Sequence, residues 1–219
     1  MGTAMSRMAW GVAALCISMG ISFAGDEVDL FNGKDLSGWT YVVRNPKAKM
    51  SDTWSVQHGL LKCTGRPIGY IRTKGEYSNY RLTVEWRWPP GTKGGNNGVL
   101  VHTSTPGALG IWPKSIEVQL AHGNAGDFWV IGTTLMVPDI DKRRKGRRHL
   151  NLTDDSEKPI GEWNKMVIEC RGDTIKVWVN GDLVNEATEC SVTRGAICLQ
   201  SEGAPIEFRT VKLQPLGAR

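Results

Sequence analysis

The sequence predicts a single all-β domain of the sandwich or jelly-roll kind, and three observations predict it. Apolar residues recur with a period of two rather than 3.6, and the alternating runs are short. Gly, Pro and Asn punctuate these runs closely, as strand-connecting turns require. No stretch carries a long amphipathic helical stripe.

The chain opens with a targeting pattern. Met1 to Arg7 hold one cation and no acid, Met8 to Ile21 are almost wholly apolar, and Ser22-Phe23-Ala24 sets small residues where a signal peptidase reads. A signal peptide over residues 1–24, cleaved after Ala24, is the expectation; a retained N-terminal anchor is the weaker alternative. The apolar run is short for a bilayer crossing, and Gly25-Asp26-Glu27 follows at once. Cys16 follows Leu15 rather than a small residue, which does not suit a lipid anchor. A secreted or periplasmic protein, free of the membrane after cleavage, is therefore expected, with residues 25–219 as one domain of normal sandwich size.

Strands follow in order. Trp54 and Val56 lead into a His58-Gly59 turn, and Leu60 to Cys63 continue beyond it. Tyr80, Leu82, Val84, Trp86 and Trp88 alternate with polar residues until Pro89-Pro90-Gly91 ends the run. Val99 to Ser104 and Ser115 to Leu120 alternate likewise. Lys165 to Cys170 and Thr174 to Val179 flank Arg171-Gly172-Asp173 as a hairpin, and Asn180-Gly181 turns the chain again before Leu183-Val184. Ala196 to Gln200 and Ile206 to Leu213 close the chain. Trp54 and Trp86 keep apolar phase and belong to the core, whereas Trp112 beside Pro113, and Trp129, suit a pocket wall.

The formal charge of +5 is local. Lys142, Arg143, Arg144, Lys145, Arg147 and Arg148 stand within seven residues, and removing these six cations leaves −1. A nucleic-acid binder spreads cations along a groove with interleaved aromatics, so no nucleic-acid partner is expected. The basic segment reads as a solvated insertion in preference to a polyanion-binding patch. Cys63, Cys170, Cys190 and Cys198 lack any C-x-x-C pair, which gives no support to a zinc site. Disulfides are permitted in an oxidising compartment, and buried free thiols are equally compatible with the sequence.

Site candidates follow from strand parity. Ile116, Val118 and Leu120 take the core side, so Glu117 and Gln119 project together from the other face. His102 and Ser104 oppose Val99 and Val101, a parity that would bring the imidazole to that same face. His122 and Asp127 follow the Glu117 strand as second-line candidates. Glu117, His102 and Asp127 could converge on a divalent metal at the sheet face, but their spacing matches no recognised ligand pattern, and no cofactor is expected.

Eight stretches in order then resemble the 3-keto-disaccharide hydrolase family. They are Leu30 to Trp39 (LFNGKDLSGW), Trp54 to Leu60 (WSVQHGL), Gly95 to Val99 (GNNGV), Ile111 to Gln119 (IWPKSIEVQ), Gly161 to Asn164 (GEWN), Val179-Asn180-Gly181, Leu199-Gln200 and Glu207-Phe208-Arg209. The resemblance implies a concanavalin-A-like lectin/glucanase jelly roll acting on an oligosaccharide or glycoside whose C3 hydroxyl is oxidised to a ketone. A C3 ketone acidifies the C2 hydrogen, so a base removes that proton, the C1 substituent leaves by elimination, and water adds. Such chemistry asks for a base, an electrophile for the enolate oxygen and an acid for the leaving group. Glu117 is the first candidate for base or acid, with His102 as partner acid or enolate stabiliser. Gln119, Asn96, Trp112, Gln200, Arg209, His122, Asp127 and Trp129 are candidates for binding substrate. The sequence departs from the family pattern at Asn96-Asn97-Gly98, at Phe208-Arg209-Thr210 and in the basic insertion. The competing functions are a carbohydrate-binding module without catalysis, and a hydrolase of unoxidised glucans; no pair of acids at alternating positions supports the latter.

Overall fold

A computed structural model describes residues 25–217, so the expected signal peptide lies outside the described residues. Two eight-stranded antiparallel sheets make the domain. The first runs β14 (Asp182–Ala187), β13 (Thr174–Val179), β12 (Asn164–Arg171), β6 (Tyr80–Arg87), β16 (Ile206–Pro215), β4 (Leu60–Cys63) and β3 (Trp54–Gln57), with β1 (Val28–Asp29) also paired to β16. The second runs β10 (Arg144–Lys145), β11 (Arg148–His149), β9 (Phe128–Ile131), β8 (Ser115–Gln119), β7 (Gly98–Thr103), β15 (Ala196–Ser201), β5 (Gly69–Thr73) and β2 (Trp39–Val43). The chain passes repeatedly from one sheet to the other, from β4 to β5 to β6 to β7, which is the jelly-roll sandwich expected from the strand pattern.

Period-two burial drives this arrangement. Tyr80, Leu82, Val84 and Trp86 are fully buried on one face of β6, and meet Val99, Val101, Ile116, Val118 and Leu199 of the second sheet in one core. Trp54, Trp86 and Trp88 belong to that core. Burying a side chain of this size contributes roughly 1.5–3 kcal/mol each. Residues of the second sheet with the opposite parity face away from the core. Tyr70, Leu100, Ile131 and Cys198 form a small apolar floor there, with Ile111 and Trp112 packed on it.

The basic segment departs from the expectation of a solvated loop. Ile140–Arg143 form a short helix, α1, and β10 and β11 make a hairpin that extends the second sheet from β9. Buried Arg143 donates to the carbonyls of Leu150 and Pro138 and to Asn185 Oδ1, and Arg148 pairs with buried Asp127. Two of the six cations therefore serve as anchors. All four described cysteines are free and buried, and burial pushes the thiols of Cys170, Cys190 and Cys198 up to about 12.

Candidate active site

Glu117 sits at the centre of β8, directly opposite Leu100 of β7 and Trp129 of β9. Alternation turns its carboxylate onto the outer face of the second sheet, into a cavity of about 220 Å³. Asn96, Trp112, Gln119, Trp129, Arg147 and Glu202 share this cavity. Trp112 is fixed by the reciprocal backbone bonds of Leu109 and Trp112 and by its ring lying 6.3 Å from Tyr70.

Close approach at the base of the site requires a glycine. A Cβ on Gly98 would lie 2.6 Å from both Glu117 Oε1 and Gln200 Oε1. The missing side chain lets β8 and β15 project these two groups toward one another across β7. Asn97 supports the arrangement, donating to the Gln200 carbonyl at 2.7 Å and accepting from Gly98 N at 2.9 Å.

Electrostatics distinguish the two carboxyls. Burial, reinforced by the nearby Glu202 charge, raises the Glu117 carboxyl to about 8, while Gln200 and Arg147 pull it back. Burial raises Glu202 to about 7, opposed by Arg44. Glu117, the more deeply buried, therefore holds its proton more tightly than Glu202 does. Arg147 places its guanidinium 5.4 Å from the Trp129 ring centre, bringing one cation of the basic insertion to the carboxyls. Asn96 Oδ1, Trp129 Nε1 and Gln200 Oε1 are buried and have no hydrogen-bond partner. Gln119 Oε1 accepts from the backbone of Leu120 and Ala121 at 3.2 Å, which leaves its amide NH₂ for substrate.

The structure thus brings together Glu117, Gln119, Asn96, Trp112, Trp129 and Gln200. It separates four other candidates from them. His102 has a left-handed backbone (φ 53°) beside a register shift between β7 and β15, and that irregularity breaks the parity on which its outward placement depended. Its ring is buried edge-on to Tyr80 of the first sheet, and Nδ1–H donates to the Val192 carbonyl at 2.9 Å. Burial lowers it to about 4, so it is a neutral core residue and not the partner of Glu117. Asp127 is committed to Arg148 and to the backbone N–H of Asn151, and His122 lies exposed beside Glu157 at 3.7 Å. Arg209 is on β16 of the other sheet, paired with Glu85 at 2.9 Å. Glu117, His102 and Asp127 do not converge, and among the described residues no group of three or more His, Cys, Asp or Glu is placed to hold a metal ion.

Glu202 and Arg147 are the residues the sequence did not single out. Glu202 was accessible in principle, because Gln200 and Glu202 share a parity at the end of β15. Arg147 was hidden in a run whose composition resembles an ordinary solvated loop.

The comparisons with known proteins agree with this architecture. A candidate glycosyl hydrolase from Parabacteroides distasonis is 24% identical with a TM-score of 0.62, the match covering 88% of this chain and all of that one. A carbohydrate-binding module from Bacillus subtilis is 15% identical, with a TM-score of 0.56 over 80% of this chain and 94% of the module. Porphyranase B from Zobellia galactanivorans is 11% identical, with a TM-score of 0.56 over 86% and 90%. At these identities the likeness is one of fold, and it spans both enzymes and a binding module. No curated protein matches the chain by sequence. The family described as 3-keto-alpha-glucoside-1,2-lyase-like matches residues 26–214, nearly all of the described chain, and the chain belongs to that carbohydrate-acting family.

Proposed function

We propose that the protein cleaves 3-keto-glycosides outside the cytoplasm by elimination followed by hydration. The observation that carries this reading is the Glu117–Glu202 pair sharing a pocket with Arg147. Glu202, the more acidic member, is the base that takes the C2 proton. The electrons of that C–H bond move toward the C3 ketone as an enolate, whose oxygen faces the Arg147 guanidinium. The C1–O bond then breaks, and protonated Glu117 delivers its proton to the departing oxygen. Water adds to C1 of the resulting enone and gives a proton to ionised Glu117, while half-buried Glu202 exchanges its proton with solvent and then protonates C2. Both carboxyls end as they began, and the net reaction is hydrolysis. Asn96 Oδ1 would accept from a sugar hydroxyl, Trp129 Nε1–H and the Gln119 amide NH₂ would donate to others, and Trp112 offers a flat face to the pyranose.

The same carboxyl pair favours a second reading, hydrolysis of an unoxidised glycoside, in which one carboxyl protonates the leaving oxygen and the other acts on C1 or on water. The mature protein incubated with a 3-keto-glucoside and with its unoxidised parent separates the two. Release of the aglycone from the ketone alone is expected. Release from the parent alone would favour the second reading, and release from neither would leave a binding module.

A further inference from the structure

A second cavity lies apart from the Glu117 pocket. It measures about 600 Å³ and lies on the outer face of the first sheet, the sheet that does not carry Glu117. That volume is within the range of about 300–1,000 Å³ usual for small-ligand sites. Trp163, Asn180 and Arg209, each part of a sequence motif without a role at Glu117, all line it.

The lining combines a flat apolar panel with an excess of cations. Trp178 of β13 is half-buried directly opposite Val167 of β12, so that the indole and the isopropyl group form one surface. Trp163 already carries guanidinium groups over its ring, Arg87 at 4.6 Å and Arg209 at 4.8 Å, which leaves Trp178 as the stacking platform. Arg81, Lys158, Lys165 and Arg209 face a single lining carboxylate, Glu85. Arg81 is paired with Glu169 at 2.6 Å and Arg209 with Glu85 at 2.9 Å. Among the described residues, Lys158 and Lys165 form no ion pair within 4 Å.

The cavity is also fixed in shape. Asn180 Nδ2 donates to the Ser156 carbonyl at 2.7 Å and to Asn164 Oδ1 at 2.8 Å, and Asn180 Oδ1 accepts from Lys165 N at 2.9 Å. Lys158 N donates to Asn164 Oδ1 at 2.8 Å. The loop bearing one free lysine is thus tied to the strand bearing the other, and ordering it costs a ligand little.

We propose that this cavity is a second saccharide site, selective for acidic sugars that carry a carboxylate or sulfate. The C–H face of a pyranose would lie on Trp178, its acidic group between Lys158 and Lys165, and a hydroxyl would donate to Glu85. The proposal does not depend on the reaction assigned to Glu117, because the two sites lie on different sheets.

Calorimetric titration of the mature chain with a tetragalacturonate and with neutral maltotetraose tests it. The acidic probe is expected to bind more tightly, with affinity falling as salt screens the lysines. Trp178→Ala should weaken it by about tenfold, the order expected for losing one aromatic stacking contact. Lys158→Gln with Lys165→Gln, both at exposed positions, should remove the preference for the acidic probe while preserving the fold by circular dichroism. Glu117→Gln should leave binding unchanged and abolish turnover of a 3-keto-glucoside, whereas Trp178→Ala should leave that turnover unchanged. Equal affinity for the two probes, no binding, binding lost in Glu117→Gln, or tighter binding of an oligothymidylate of equal charge would each overturn the proposal.

Discussion

Single atoms decide whether the site exists. Gly98 has no positive-φ requirement, so its value lies in the space its missing Cβ leaves between Glu117 and Gln200. Gly98→Ala is expected to fold, at a cost of about 1–3 kcal/mol from overpacking. It should also displace Glu117 and lower kcat by at least tenfold with little change in far-UV circular dichroism. Unchanged kcat would show that the carboxyl tolerates movement. Parity placed Glu117 and Gln119 on one face directly from the sequence, because β8 is regular. It misplaced His102, because one left-handed residue at a bulge reverses the facing of a side chain without any mark in the hydrophobic pattern.

At the scale of elements, the β10–β11 hairpin joins sequence to function. Its composition resembles a solvated loop, and nothing local reveals that Asp127 and Asn185, from β9's approach and from β14, receive Arg148 and Arg143. Those long-range anchors hold Arg147 over Trp129. Asp127→Ala would leave Arg148 without its partner and is expected to cost about 2 kcal/mol, the order of losing a charged hydrogen bond. It should also reduce kcat more than it raises KM, as the hairpin loosens and Arg147 moves away from Trp129 and the Glu117 cavity. A change in Tm with unaltered kinetics would separate the hairpin from the reaction. The long alternating strands β6, β12 and β16 were legible in sequence. The strands β5, β9, β10 and β11 were not, because GYIRT, FWVI, RK and RH do not alternate apolar with polar residues as the equally short β8 does.

At the scale of the whole molecule, the buried acids link stability to pH. Glu117 is raised from 4.5 to about 8 and Glu202 from 4.5 to about 7, so the folded state holds their protons more tightly than the unfolded state. Their contribution is fully present below about 4.5 and is lost as pH rises through about 7 and about 8. His102 acts in the opposite sense: lowered from 6.5 to about 4, its contribution is present above 6.5 and is lost as pH falls through about 4. Glu117→Gln removes the Glu117 share of the first effect and leaves those of Glu202 and His102. The Tm of this variant minus that of the wild type should therefore grow from about pH 5 to about pH 9. A difference independent of pH would mean that Glu117 ionises as freely in the folded chain as in the unfolded one. The two-sheet architecture was legible because one core face per strand is a global demand of the sequence. Glu202 was not, since six strands separate β8 from β15 in sequence and only the closed sheet, with β7 between them, brings the two carboxyls together.

The central claim is that the C2 proton leaves before the glycosidic bond is cleaved, and the fate of that hydrogen tests it most directly. A 3-keto-glucoside deuterated at C2 is turned over in ordinary water and the sugar product isolated at early times, against a control of deuterated product incubated without protein. Elimination and hydration predict that aglycone release is slower than from the unlabelled substrate and that the product has lost its deuterium to solvent. Retained deuterium at C2 with an unchanged rate would contradict the account.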